Sequence, residues 1–292
     1  MSKLDRLSAL ISRFHVRARV HPYALNEKNG SGEQELSKSK ANFFIVRRGQ
    51  VQALNSEFDD LEDTVPLLLY YPRGGAQDLN CRSLVEDNER GADRNSAGQW
   101  GYVCAEVDTG GDASPISLAL PDEVIVRLDQ SEALRAVTNI LLEEAKAPRC
   151  GGQAVIDRLC EIVMIRLLRH LIEAGQTEVG LLAGLAHPNL ALAIVAIHDN
   201  PERNFNLEDL AGIAAMSRTH FVNSFRTSIG ITPGQYLSNW RLTLARMEIA
   251  KGTPLKTIAR RIGFSSSAAL SRAFTRHFGV TPRSEMPQSS HH

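Results

Sequence analysis

The chain has 292 residues, 43% of them hydrophobic and 23% charged, with Lys+Arg and Asp+Glu equal at 33 each. That length suggests two domains, each large enough to bury a core of its own. There is no run of about 18 uninterrupted apolar residues, which excludes a membrane-spanning helix, and an N-terminus dotted with Arg and Lys lacks the apolar stretch of a secretory signal, so the expected location is the cytoplasm.

The first 120 residues read as β-rich. Short apolar runs (Phe43-Phe44-Ile45-Val46, Leu67-Leu68-Leu69-Tyr70-Tyr71 and Gly101-Tyr102-Val103) alternate with turn residues such as Arg48-Gly49-Gln50 and Pro72-Arg73-Gly74-Gly75. Two polar stretches, 26–40 and 86–98, read as long loops. Four cysteines, Cys81, Cys104, Cys150 and Cys160, lack the C-x-x-C spacing of a zinc cluster, and a reducing compartment argues against structural disulfides. His15 and His21 have no third ligand, and the acidic run 57–63 lacks the glycine and alternation of a calcium loop. No metal and no cofactor is expected.

After Ser131 the hydrophobic period becomes helical. One helix is expected over 133–146, ended by Pro148-Arg149-Cys150-Gly151-Gly152. A second runs from about 154 to 174, with Val155, Ile156, Leu159, Ile162, Val163, Leu167, Leu168 and Leu171 on a stripe broad enough to pack on two surfaces. Such a stripe serves equally as the domain's own core helix or as the seam of a homodimer. A Gly-punctuated linker is expected over 176–186.

From His187 to His292 there are 12 Lys+Arg against 6 Asp+Glu, a net +6, which leaves 21 against 27, or −6, in the rest. A basic C-terminal third on a neutral chain points to a local polyanion-binding surface. The same region repeats itself. Leu207, Leu210 and Ala211 recur 48 residues later as Leu255, Ile258 and Ala259; Phe221, Phe225, Gly230, Thr232 and Pro233 recur 49 residues later as Leu270, Phe274, Gly279, Thr281 and Pro282.

Each copy spells helix, tight turn, helix. Asn206, with Asp209 three residues on, starts the first helix, and Ser217 caps the next, where Phe221 and Phe225 face inward. In the second copy Gly263-Phe264-Ser265 makes the turn, Ser266 caps, and Leu270, Phe274 and Phe278 point inward. Gly230 suits a left-handed helix end and Thr232-Pro233 starts a new helix. Between the copies, 233–250 reads as one helix of about 27 Å, a strut able to hold two helices near the roughly 34 Å repeat of successive major grooves.

At these residues the sequence resembles the AraC/XylS family of bacterial regulators. The runs that carry the likeness are LEDLAGIAAMSRTHFVNSFRTSIGITPGQYL and IARRIGFSSSAALSRAFTRHFGVTP. The resemblance implies a sequence-specific regulator of transcription that binds double-stranded promoter DNA and works with RNA polymerase. Base contacts would fall on Arg218, Thr219, Val222 and Asn223 in the first unit, and on Ser266, Ser267, Ala268, Ser271 and Arg272 in the second. Arg and Asn suit guanine and adenine edges. Arg241, Arg246, Arg260, Arg261 and Arg276 are expected at phosphate or in solvent. The family usually follows the last Thr-Pro with an aromatic and an Arg; here Pro282 leads to Arg283-Ser284-Glu285-Met286.

The β-rich half resembles the cupin-type effector domain of one branch of that family, on Phe43 to Gly49, Leu69 to Gly74 and Val103-Cys104. The expected architecture is therefore α+β and multidomain. A cupin-like β-barrel with two flanking helices occupies 1–175 as a sensor and dimerisation domain, followed by an all-α domain over 187–286 with two helix-turn-helix units on a long helix. The signal would be a small molecule or an oxidant. Four ordinary thiols is one reading of the cysteines, with Cys160 buried and Cys150 exposed beside Arg149; a redox switch through Cys104, with Cys81, is the other. A metal-dependent cupin enzyme would need an H-x-H with a downstream Glu, and an alkyl-transfer repair protein a cysteine cluster and a Cys beside His, and neither pattern is present.

Overall fold

Of the runs read as strands, 43–46 and 67–71 are buried along their whole length instead of on alternate residues, as in strands covered on both faces. In a computed structural model the described residues are 5–13, 17–20, 41–47, 62, 65–73, 103–108, 114–146, 149–175 and 179–286. Cys81, His15, His21 and the stretches 26–40 and 86–98 lie outside them. The chain divides into two units, Phe14–Glu173 and Met1–Arg13 with Ala174–His292.

In the first unit five strands, β1 (Arg17–Val20), β2 (Ala41–Arg47), β3 (Pro66–Tyr71), β4 (Val103–Asp108) and β5 (Val124–Arg127), form one antiparallel sheet in the order β1-β4-β2-β3-β5. The described residues thus show a small sheet in the region where a barrel is expected. Phe43, Phe44, Ile45, Leu67, Leu68, Leu69 and Tyr70 are fully buried, each side chain contributing about 1.5–3 kcal/mol relative to exposure. Burial holds the Tyr70 phenol well above the ordinary tyrosine range. The Pro-Arg-Gly turn after β3 has a structural explanation. Arg73 donates from Nη1 to the Ser117 (2.6 Å) and Leu120 (2.9 Å) carbonyls and from Nε to Asp122 (3.0 Å), fastening that turn to the short helix α2 (Pro115–Leu118).

Two helices follow, α3 (Glu132–Lys146) and α4 (Gly152–Ala174). On α4, Ile156, Cys160, Val163, Met164, Leu167, Leu168 and Leu171 are buried, while Val155 and Ile162 on the same stripe are exposed, as is Ile140 of α3. The stripe is wider than its own core uses.

The second unit is helical. The stretch 176–186, expected as a linker, carries helix α5 (Leu181–Ala186), whose Leu181, Leu182 and Leu185 are buried. A Cβ on Gly184 would lie 2.2 Å from the Cδ1 end of Ile229 and 2.6 Å from that of Ile194, so a larger residue there would require both side-chain ends to shift. The N-terminal helix α1 (Ser8–Arg13) belongs to this unit too. Asp5 caps it by accepting from the Ser8 amide (2.9 Å), Leu7 and Leu10 are buried, and the Arg6 guanidinium donates to the Leu185 carbonyl (2.9 Å) at the end of α5. The remaining helices are α6 (Leu190–Asp199), α7 (Leu207–Ile213), α8 (Arg218–Ile229), α9 (Pro233–Ala250), α10 (Leu255–Arg261) and α11 (Ser267–Phe278), closed by a 3-10 turn at Pro282–Glu285.

Candidate nucleic-acid interface

The internal repeat of the sequence is a repeat of backbone geometry. In the first head, α7 starts with a capping box in which Asn206 accepts from the Asp209 amide (2.8 Å) and Asp209 accepts from the Asn206 amide (3.2 Å). It ends where the Met216 amide donates to the Ala211 carbonyl (3.0 Å); in the second head the Phe264 amide donates to the Ala259 carbonyl (2.8 Å) at the same place. The residue ahead of each of those amides is left-handed, Ala215 at φ 51° and Gly263 at φ 80°.

Both outer helices begin and end alike. Ser217 caps α8 and Ser266 caps α11, each accepting from the amide three residues on, at 3.4 and 3.1 Å. Gly230 and Gly279 end them in the left-handed conformation. Phe221, Phe225, Leu270 and Phe274 fill the two small cores.

On the opposite faces lie the side chains expected to read bases. Arg218, Thr219 and Asn223 are exposed and Val222 is half-buried, at helical spacing that puts all four on one face of α8. On α11, Ala268 and Arg272 are exposed and Ser267 and Ser271 half-buried, in the same spacing, with the capping Ser266 exposed at the helix start. Ser271 Oγ donates to the Ser267 carbonyl (2.9 Å), so toward a ligand it is an acceptor. Ser266 Oγ accepts its cap bond and keeps its proton to donate. Arg218 stands 3.7 Å from Glu208, an exposed pair worth less than about 1 kcal/mol and easily exchanged for another anion.

Two of the arginines expected at phosphate or in solvent have partners within the chain. Arg241 donates from Nε to the Pro201 carbonyl (2.6 Å) and from Nη2 to the Arg203 carbonyl (2.9 Å), tying the strut α9 to the turn before α7; burial lowers its pKa, partly countered by Glu202. Arg246 donates from Nε to Glu285 Oε2 (2.9 Å), pairs by charge with Oε1 through Nη2 (2.8 Å), and lies over the Phe278 ring at 4.8 Å. Arg260, Arg261 and Arg276 are exposed. Sequence reasoning also passed over His198, fully buried on α6, joined to the Tyr236 hydroxyl at 2.6 Å and stacked on Trp240 at 3.8 Å.

In the sheet unit, Cys104 is buried in β4, where it stands opposite Phe44. The exposed thiol among the described cysteines is Cys150, and burial pushes the Cys160 thiol up to about 12.

A family model described as a helix-turn-helix domain matches residues 210–286, and one described as a cupin matches residues 5–173, more than half of the chain. A putative AraC-like transcription regulator of Streptomyces lividans is 38% identical over 167 residues, 56% of this chain and 55% of the relative. The RCS-specific HTH-type transcriptional activator RclR of Escherichia coli (strain K12) is 33% identical over 150 residues, 51% of this chain and 53% of the relative. The chain thus spans about half the length of the curated relatives it matches. Among solved structures, an AraC-type DNA-binding domain-containing regulator of Chromobacterium violaceum aligns with 29% identity and a TM-score of 0.33, over 35% of this chain and 93% of that one.

Proposed function

The chain belongs to the AraC-type helix-turn-helix regulators that carry a cupin domain, and on that premise we propose that it binds a promoter duplex by placing α8 and α11 in successive major grooves. The observation that carries this reading is the matched pair of outer faces. Each presents residues at i, i+1, i+4 and i+5 of a serine-capped helix, on either side of one 18-residue strut. Polar tips of mixed kind suit base edges, whereas a uniform Lys surface would serve only phosphate. The first face offers Arg218 and Asn223 for purines. The second offers small Ser and Ala tips with Arg272.

The sheet unit would receive the signal, a small molecule or an oxidant, and RNA polymerase would be the downstream partner. The names of the relatives as regulators support a non-enzymatic role. The exposed Val155, Ile162 and Ile140 mark where we place a second copy in a homodimer; sedimentation of the full chain as a monomer at tens of micromolar would remove that part.

The main test is enrichment of duplexes from a random pool by the full chain at physiological salt. A defined motif is expected, with Asn223→Ala weakening the enriched duplex by about 1–3 kcal/mol and leaving nonspecific binding unchanged. Equal affinity for enriched and random duplexes sinks the proposal.

A further inference from the structure

The internal repeat reaches one helix further back than the helix-turn-helix units themselves. His198 on α6 stands eight residues before Asn206, the N-cap of α7, and Arg246 on α9 stands eight before Pro254, the N-cap of α10. The 48-residue offset of the two heads therefore relates His198 to Arg246. The 49-residue offset that holds beyond the turn relates Tyr236 to Glu285, each the fourth residue after the repeated threonine, Thr232 or Thr281.

These related residues meet each other. In the first head His198 is bonded to Tyr236 (2.6 Å) and stacked on Trp240 (3.8 Å), and Tyr236 meets the Phe225 ring edge-on (5.6 Å). In the second head Arg246 donates one hydrogen bond to Glu285 (2.9 Å), forms an ion pair with its other oxygen (2.8 Å) and is stacked over Phe278 (4.8 Å), which in turn packs on Phe274 (4.6 Å). In both, a planar side chain from the helix before the unit lies on an aromatic ring. In both it holds the first turn after the outer helix. The chemistry differs: burial keeps the Tyr236 phenol protonated, so the first contact is a hydrogen bond in a dry core, while the second is a half-exposed ion pair.

We propose that the two contacts are equivalent latches, neutral in the first head and ionic in the second, and that each sets independently how its own outer helix is seated for DNA. An outer helix followed by a left-handed glycine and Thr-Pro is fixed at its far end only if the turn beyond is fixed. Base-edge hydrogen bonds need placement to within about 0.5 Å. Tyr236 and Glu285 are thus positioning residues, and the inference rests on the DNA-binding reading above.

The experiment uses the full chain and a duplex enriched from a random pool, probed by hydroxyl-radical footprinting so that each head is read separately. Wild type should protect two patches about one helical turn apart. Glu285→Ala should lose one patch, keep the other, and weaken binding about tenfold. The exchange of charges, Arg246→Glu with Glu285→Arg, should restore the lost patch, and Tyr236→Phe, which removes only the phenol oxygen, should weaken the opposite patch. The proposal is overturned if Glu285→Ala protects both patches like wild type, if either variant weakens both patches equally, or if the charge exchange folds by circular dichroism without recovering the patch. A wild-type chain that enriches no duplex instead overturns the DNA-binding reading, and the latches with it.

Discussion

In the first head the left-handed residue of the turn is Ala215, and in the second it is Gly263. The turns share hydrogen bonds and spacing, so turn geometry alone does not explain why one accepts a Cβ and the other does not. Ala215 is exposed. A Cβ on Gly263 would lie 2.6 Å from the Glu202 carbonyl oxygen and 2.8 Å from Arg241, because the second head's turn is pressed against the turn that precedes the first head. The same local motif is therefore under a local constraint in one place and a tertiary one in the other.

The comparison breaks most sharply at those two residues. Gly263→Ala adds left-handed strain of about 1–2 kcal/mol to a clash with backbone, and a loss of about 2 kcal/mol or more is expected in urea unfolding of the full chain. Ala215→Gly removes the strain and adds unfolded-chain entropy worth about 0.4–1 kcal/mol. It should be neutral or stabilising by up to about 1 kcal/mol. A larger loss from Ala215→Gly than from Gly263→Ala would reverse the assignment.

A smaller effect separates the heads by pH. Glu248, at the end of the strut, accepts from Lys251 Nζ (3.1 Å) and Thr253 Oγ1 (3.1 Å) and lies 3.5 Å from Arg261. Burial raises its pKa, but those partners outweigh it and hold the carboxyl below its ordinary value of 4.5. A depressed folded value means stability that is present above pH 4.5 and lost as pH falls through the folded value. The 48-residue offset pairs Glu248 with Asn200, which has no such titration. Acid should therefore loosen the second head first, by about half a kcal/mol. Amide exchange at pH 6 and pH 3.5, each rate taken relative to the intrinsic rate at that pH, would show it as lower protection around 251–261 at pH 3.5, absent in Glu248→Gln. An equal loss of protection around 203–213 would remove the distinction.

Much of the helical unit was legible along the chain because its signals are local. Capping residues, left-handed glycines and apolar pairs four apart each act within one turn of helix, and a 48-residue echo makes them unmistakable. The long helices after Ser131 were legible for the same reason. The linker was not: Leu181, Leu182 and Leu185 surround Gly184 in a stretch too short to show a period, and its helix exists because Ile194 and Ile229 close over it. The partners of Arg241 and Arg246 were not legible because an arginine's partner lies wherever its long side chain reaches, here a carbonyl 40 residues away and a carboxylate 39 residues away.

By itself the sequence determined the two capped heads, the strut between them and the small polar tips they turn outward, since these follow from backbone preferences and the 3.6-residue period. Tertiary structure alone decided which partners Arg241 and Arg246 take, why one turn requires glycine, and that α1 packs against α6 with Arg6 tied to the end of α5. Those outcomes depend on which groups meet across long stretches of chain, and burial and hydrogen bonding between distant residues leave no periodic mark.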